Sequence, residues 1–164
     1  MDRQDAAFPI APGFLTGVAV TGFFDGIVLH QILQWHHMIC VETHCVATTV
    51  ASLKRQTFTD GLFHAAMWIV LVVGLVLLTR AVSSGAQLVQ TRFWGSVLLG
   101  AGIFNVVEGI VDHHILQIHH VRFGPTQTIL DVSFLLVSAI IGVLGWRMTR
   151  RVHPSSAFGT FSPR

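Results

Sequence analysis

Apolar residues fill four long stretches of the chain, Phe14–Gln34, Gly61–Leu78, Phe93–Gln117 and Thr128–Trp146, without period-two alternation. A hydrocarbon core of about 30 Å requires ~20 apolar residues in helical form, so each stretch is long enough to span it. Membrane-spanning strands are shorter and alternate, so strands describe these runs poorly. The pattern predicts an all-α protein, a bundle of four transmembrane helices. Composition agrees, with 11% charged residues among 164, against roughly 25% in soluble domains.

The flanks set boundaries and orientation. Met1–Ala7 lacks a basic leader, and the first apolar run is interrupted by Asp25 instead of ending at a small-residue cleavage site, so no secretory signal is expected. Residues 1–13 read as an N-terminal cytoplasmic segment, 14–148 as one transmembrane domain, and 151–164, with "HPSSAFGTFSPR", as a loose tail. With both termini inside, the cytoplasmic face holds Arg3, Arg80, Arg92, Arg147, Arg150, Arg151 and Arg164, and the outer face Lys54, Arg55 and Arg122. That imbalance predicts a multi-pass protein of the inner membrane with both termini cytoplasmic. The net charge of +2 is then a topology signal and gives no reason to expect nucleic acid. The bilayer is the expected partner, with room for other membrane or respiratory proteins or a second copy.

Within the apolar stretches lies a repeated polar frame. "DGIVLHQILQWHH" (Asp25–His37) aligns without gaps to "EGIVDHHILQIHH" (Glu108–His120), ten of thirteen positions being identical or exchanging one carboxylate for another. The following helices echo each other more weakly, "DGLF" from Asp60 against "DVSF" from Asp131. The chain therefore reads as two duplicated helical hairpins, 14–80 and 93–150. They are expected to insert the same way up, related by a pseudo-twofold axis along the membrane normal. Helices one and three would face each other there. Gly22 and Gly26 have the small-xxx-small spacing of close helix packing, and Gly109 aligns with Gly26.

Burying polar groups in hydrocarbon is costly, and intramembrane ionisable residues are by default functional and paired. His30 lies about one turn below the outer surface, with Asp25 roughly 7–8 Å deeper at ~1.5 Å per residue. His113 and Glu108 occupy the same two levels on helix three. His64, one turn past Asp60 on helix two, comes to the level of His30 and His113. Three imidazoles at one depth suit a transition metal and leave an open position. Asp25, Glu108 and Asp112 are the candidate oxygen ligands or proton carriers, Glu108 and Asp112 sharing a face at i, i+4. Gln34 and Gln117, four residues after the central histidines, are expected to hold the imidazoles' second nitrogens. His36, His37, His119 and His120 lie near the interface, where a structural role competes with metal loading. His114 has no histidine counterpart, since position 31 is Gln. His64 taken alone reads first as a hydrogen-bonded core residue.

The outer loop "HHMICVETHC" brings Cys40 and Cys45 near His36, His37, Met38, Glu42 and His44. Sulfur with imidazole suits copper, while two cysteines on the oxidising side suit a disulfide. Neither has a counterpart after His120.

"GFFDGIVLHQILQWHHM", "DGLFHA" and "GIFNVVEGIVDHHILQIHHVR" together resemble a bacterial family of small four-helix membrane proteins defined by a domain of unknown function. The resemblance covers roughly residues 15–148. It implies the four-helix architecture and the polar positions Asp25, His30, His36, His37, Asp60, His64, Glu108, Asp112, His113, His114, His119 and His120, and it implies no activity.

Four functions follow from these residues. The first is a membrane-embedded transition-metal protein binding iron, copper or zinc, either an oxidoreductase-type enzyme or a metal-handling factor for respiratory enzymes. The second is a haem b protein, His30 and His113 ligating the iron while Gly26 and Gly109 leave room for the porphyrin. A metal or proton transporter is third, although the apolar inner halves of the helices offer no continuous path. The last is a structural subunit cross-linked by its polar residues.

Overall fold

The computed structural model describes residues 8–39 and 47–151. Helix α1 spans Ala11–Phe24, α2 Val50–Ser83, α3 Gln90–Glu108 and α4 Gln127–Arg150. Helix α1 continues as a π-helical segment over Asp25–Ile32, and α3 continues likewise over Gly109–Ile115. No strand occurs among the described residues. With their π segments, α1 and α3 run 22 and 26 residues; α2 has 34 and α4 has 24. All four are long and apolar enough to cross a membrane.

Helix α2 starts eleven residues before the apolar run beginning at Gly61. A capping box starts it: the Thr49 hydroxyl accepts from Ser52 N–H while Thr49 N–H donates to the Ser52 hydroxyl. Apolar content alone misses this polar first part, which carries Asp60 into the bundle.

The four helices pack in the order α2, α1, α3, α4, with α1 and α3 central. Burial is inverted relative to a soluble protein. Polar residues such as His30, Asp60, Ser96 and Ser138 are buried, while Val20, Trp68, Ile69 and Ile140 are exposed, as expected where the solvent is lipid. The central crossing depends on glycine: a methyl on Gly17 would overlap the Val97 carbonyl, and one on Gly100 the Phe14 backbone. Gly22 and Gly26, by contrast, pack against Met67 and His64 of α2. Their spacing therefore serves the α1–α2 contact and not the crossing of helices one and three. At the far end from the histidines, Arg92 donates to the carbonyls of Phe8 and Thr149. The starts of α1 and α3 and the end of α4 are thereby tied together.

Candidate metal centre

Asp25 precedes His30 by five residues, as Glu108 precedes His113. On an α-helix that spacing would turn the two side chains about 140° apart. The π-helical segments close their backbone from i to i+5, which brings each pair onto one face. His30 Nε2 lies 3.0 Å from Asp25 Oδ2, and His113 Nε2 lies 3.2 Å from Glu108 Oε1. The same register removes Asp112 from the expected i, i+4 partnership with Glu108. Asp112 belongs to neither ligand group and instead lines an adjacent cavity.

Each π segment ends at a glutamine in the left-handed region, Gln34 at φ 51° and Gln117 at φ 50°. Bonds from Trp35 N–H to Leu29 O and from Ile118 N–H to Asp112 O close the two turns. Few side chains other than glycine adopt this conformation without strain. Here it reverses the chain so that the imidazole two residues further on returns to the bundle. His36 Nε2 comes to 3.4 Å from Asp25 Oδ1, and His119 Nε2 to 2.7 Å from Glu108 Oε1. Gln34 and Gln117 are themselves exposed. They are the turns, and the second imidazole nitrogens are held by other groups.

Asp60 and Asp131 supply part of that support. His30 Nδ1 lies 3.2 Å from Asp60 Oδ1, and His113 Nδ1 lies 3.2 Å from Asp131 Oδ1, the latter off the line of a good hydrogen bond. Each aspartate is 2–3% exposed and is itself held. Asp60 accepts from His37 Nδ1 at 2.7 Å and Met38 N–H at 2.9 Å. Asp131 accepts from His120 Nδ1 at 2.7 Å and Val121 N–H at 2.9 Å. The remaining two imidazoles use backbone across the bundle: His36 Nδ1 faces Val121 O at 3.0 Å, and His119 Nδ1 faces Met38 O at 3.4 Å. His36 and His119 are thus buried ligand candidates beyond the interface, and His37 and His120 are braces for the aspartates. His114 is exposed and belongs to neither group.

Two groups result, Asp25–His30–His36 and Glu108–His113–His119, each with three ligand atoms mutually within 4.8 Å. In His30, His36 and His113 an Nδ1 facing an acceptor carries the proton of a neutral ring, leaving the Nε2 lone pair to face the carboxylate. His119 Nε2 instead stands at hydrogen-bonding distance, 2.7 Å, from Glu108 Oε1 and gives up that proton when it ligates. Two acceptors this close attract only with a cation between them, either a metal ion or a proton. Atoms bound at about 2.1 Å to one ion lie about 3.0–3.4 Å apart at angles of roughly 90–110°. The contacts of His30, His36 and His113 fall in that range, and their Nε2 atoms make no well-directed hydrogen bond. Burial lowers the pKa of His36 against the opposing pull of Asp25, which favours the neutral, ligating form of the ring.

His64 does not join His30 and His113. Its ring lies where a Gly26 side chain would be and stacks on Phe23 at 6.0 Å between centroids. At the aligned place over Gly109 stands Leu135, with Phe134 beside it. His64 therefore fills space that its counterpart fills with leucine, with its Nε2 buried and without a hydrogen-bond partner, and it is in neither ligand group. The same packing counts against haem, because the room that Gly26 and Gly109 were expected to leave is taken by the His64, Phe134 and Leu135 side chains. The Cys40–Cys45 loop, with Glu42 and His44, lies outside the described residues, as does His153.

The family resemblance implies Asp60 as a polar position without a role, and Asp131 enters the sequence reading only as its weak repeat counterpart. Their signal was present in the matched starts of "DGLF" and "DVSF". No curated protein and no solved structure matches the chain. A family model described as "Predicted membrane protein (DUF2243)" matches residues 12–152, and the chain belongs to that family.

Proposed function

We propose that this protein is a membrane-embedded transition-metal protein, a metal-dependent enzyme or a metal-handling factor. It holds one transition-metal ion at Asp25, His30 and His36 and a second at Glu108, His113 and His119. One observation carries the reading: four buried imidazoles each turn Nδ1 toward an acceptor and aim Nε2 at one of two carboxylates. Support of a ligating histidine through its other nitrogen is the usual arrangement around protein-bound metals. Two imidazoles and one carboxylate per ion suit iron(II) or zinc and leave positions open. A bound ion would supply a Lewis-acidic centre at those positions. The chain's own residues orient the ligands, and the apolar walls exclude water.

The two groups are proposed to be copies produced by duplication of a helical hairpin, related by a pseudo-twofold axis along the membrane normal. The aligned frames and the matching contacts of Asp60 and Asp131, 3.2, 2.7 and 2.9 Å in each half, support this. The arginine excess at the ends tied by Arg92 supports an inner-membrane orientation with termini cytoplasmic and the metal groups near the outer face.

Elemental analysis of the detergent-purified full chain tests the metal reading. Wild-type protein is expected to retain two ions per chain, and His30→Ala combined with His113→Ala to retain none. Metal content unchanged by the double substitution contradicts the reading and favours a polar cross-link between helices.

A further inference from the structure

Asp25 and Glu108 also face a cavity of about 240 Å³, whose wall includes Met38, Phe63, Phe104, Val107, Asp112 and His119. A cavity of about 150 Å³ is enough to hold benzene. The cavity lies where the backbones of α2 and α3 do not meet, each packing against α1 instead. Phe63 of α2 and Phe104 of α3 bridge that gap with ring centroids 6.4 Å apart. Val107 is 54% exposed within a span long and apolar enough to cross the membrane. The cavity wall is therefore reached from the lipid side of the bundle.

The two halves differ at this wall. Asp112 stands where the first half has Leu29, and Val107 stands where it has Phe24. One exchange places a carboxylate beside the cavity, and the other removes a ring. The residues of the two ligand groups, in contrast, are kept in type. Asp112 is in neither group, so its oxygens remain available to accept a hydrogen bond. Mostly apolar walls with a few convergent polar groups are the general form of a small-molecule site.

Resting on the metal reading above, we infer that this cavity binds a ring-sized apolar molecule carrying a hydroxyl group, of the phenol class, delivered from the bilayer. Phe63, Phe104 and Met38 supply aromatic and thioether contacts to the ring. Asp112 accepts the hydroxyl hydrogen in a charge-assisted bond. Asp25 and Glu108 share that cavity wall with Asp112, so the phenolic oxygen enters on the carboxylate side of the metal groups.

The probe is 4-(trifluoromethyl)phenol, titrated into the full-length protein in lipid nanodiscs and followed by fluorine NMR, with benzotrifluoride as the hydroxyl-free match. Saturable binding of the phenol is expected, with benzotrifluoride weaker by about tenfold or more. Asp112→Leu, which installs the residue of the aligned position, should weaken phenol binding by a similar factor. Val107→Trp, which fills the cavity, should abolish it, and both variants should keep the wild-type metal content. Non-saturable binding, or equal binding by Val107→Trp, overturns the pocket and leaves the metal centre standing. Saturable, Val107→Trp-sensitive binding to a protein without metal supports the pocket and overturns the metal reading instead.

Discussion

The imidazoles of His36 and His119 lie parallel, their planes 1° apart and their centroids separated by 4.8 Å. One follows the first π-helical segment and the other follows the second, yet each directs Nδ1 at a backbone carbonyl of the opposite half. The two ligand groups are consequently one connected object, and damage to either is expected to reach the other.

His119→Ala removes a ligand from the second group and the stacking partner of a ligand in the first. The variant should lose one ion outright and hold the other about tenfold more weakly, the scale on which orienting contacts act at metal sites. Elemental analysis combined with chelator competition measures both effects. Full retention of the first ion at wild-type affinity would show that the groups are independent.

Asp60→Asn and Asp131→Asn keep an oxygen for the Met38 and Val121 amides but weaken the hold on His30 and His113. Each should lower metal affinity by about 10–100-fold while leaving the helical content unchanged. Chelator titration followed by circular dichroism separates the two readouts.

Close helix packing makes a different prediction for stability. Gly17→Leu would drive a side chain into the Val97 carbonyl and should cost about 1–3 kcal/mol or more. Gly61→Ala meets no atom within 4 Å, and the gain in helix propensity should stabilise α2 by up to about 1 kcal/mol. Thermal unfolding in detergent, compared across the two variants, gives the signs.

The buried His36 ring gives a pH dependence whose sign follows from its lowered pKa. As pH falls through the ordinary value of 6.5, the unfolded chain takes up a proton before the folded protein does. The stability contribution is therefore full above that pH and declines below it, until the folded-state value is passed. Metal-free wild-type protein should lose stability over this interval more steeply than His36→Gln. Equal slopes in urea unfolding from pH 7 to 5 would contradict the assignment.

The sequence made much of this arrangement legible, because lipid imposes strong rules. Four runs of sufficient length could only be spanning helices, and the acid–histidine frame stood out against apolar surroundings. What escaped was register. Hydrophobic periodicity cannot report a π-helical segment inside a uniformly apolar stretch, so Asp112 was grouped with Glu108 on α-helical spacing, and the i, i+5 pairing of Glu108 with His113 was missed. Reading Gln34 and Gln117 as helix-face residues had the same origin, since a left-handed turn at glutamine has no compositional signal. Depth in the membrane fixes only one coordinate of His64, whose ring occupies the groove over Gly26 and lies outside the two groups. The long reach of α2 back to Val50 is hidden because its first turns are polar, and only the start signal of Thr49 with Ser52 marks them.

The central claim concerns which atoms surround the ions, and X-ray absorption at the metal edge of the loaded full-length protein measures that directly. The expected spectrum shows a nitrogen and oxygen shell near 2.0–2.2 Å, about two imidazoles per ion and no sulfur. Substituting His36→Ala together with His119→Ala removes one imidazole from each group and should abolish the signal of protein-bound metal. A sulfur shell, or an imidazole contribution untouched by the double substitution, would place the metal elsewhere and contradict the assignment of both groups.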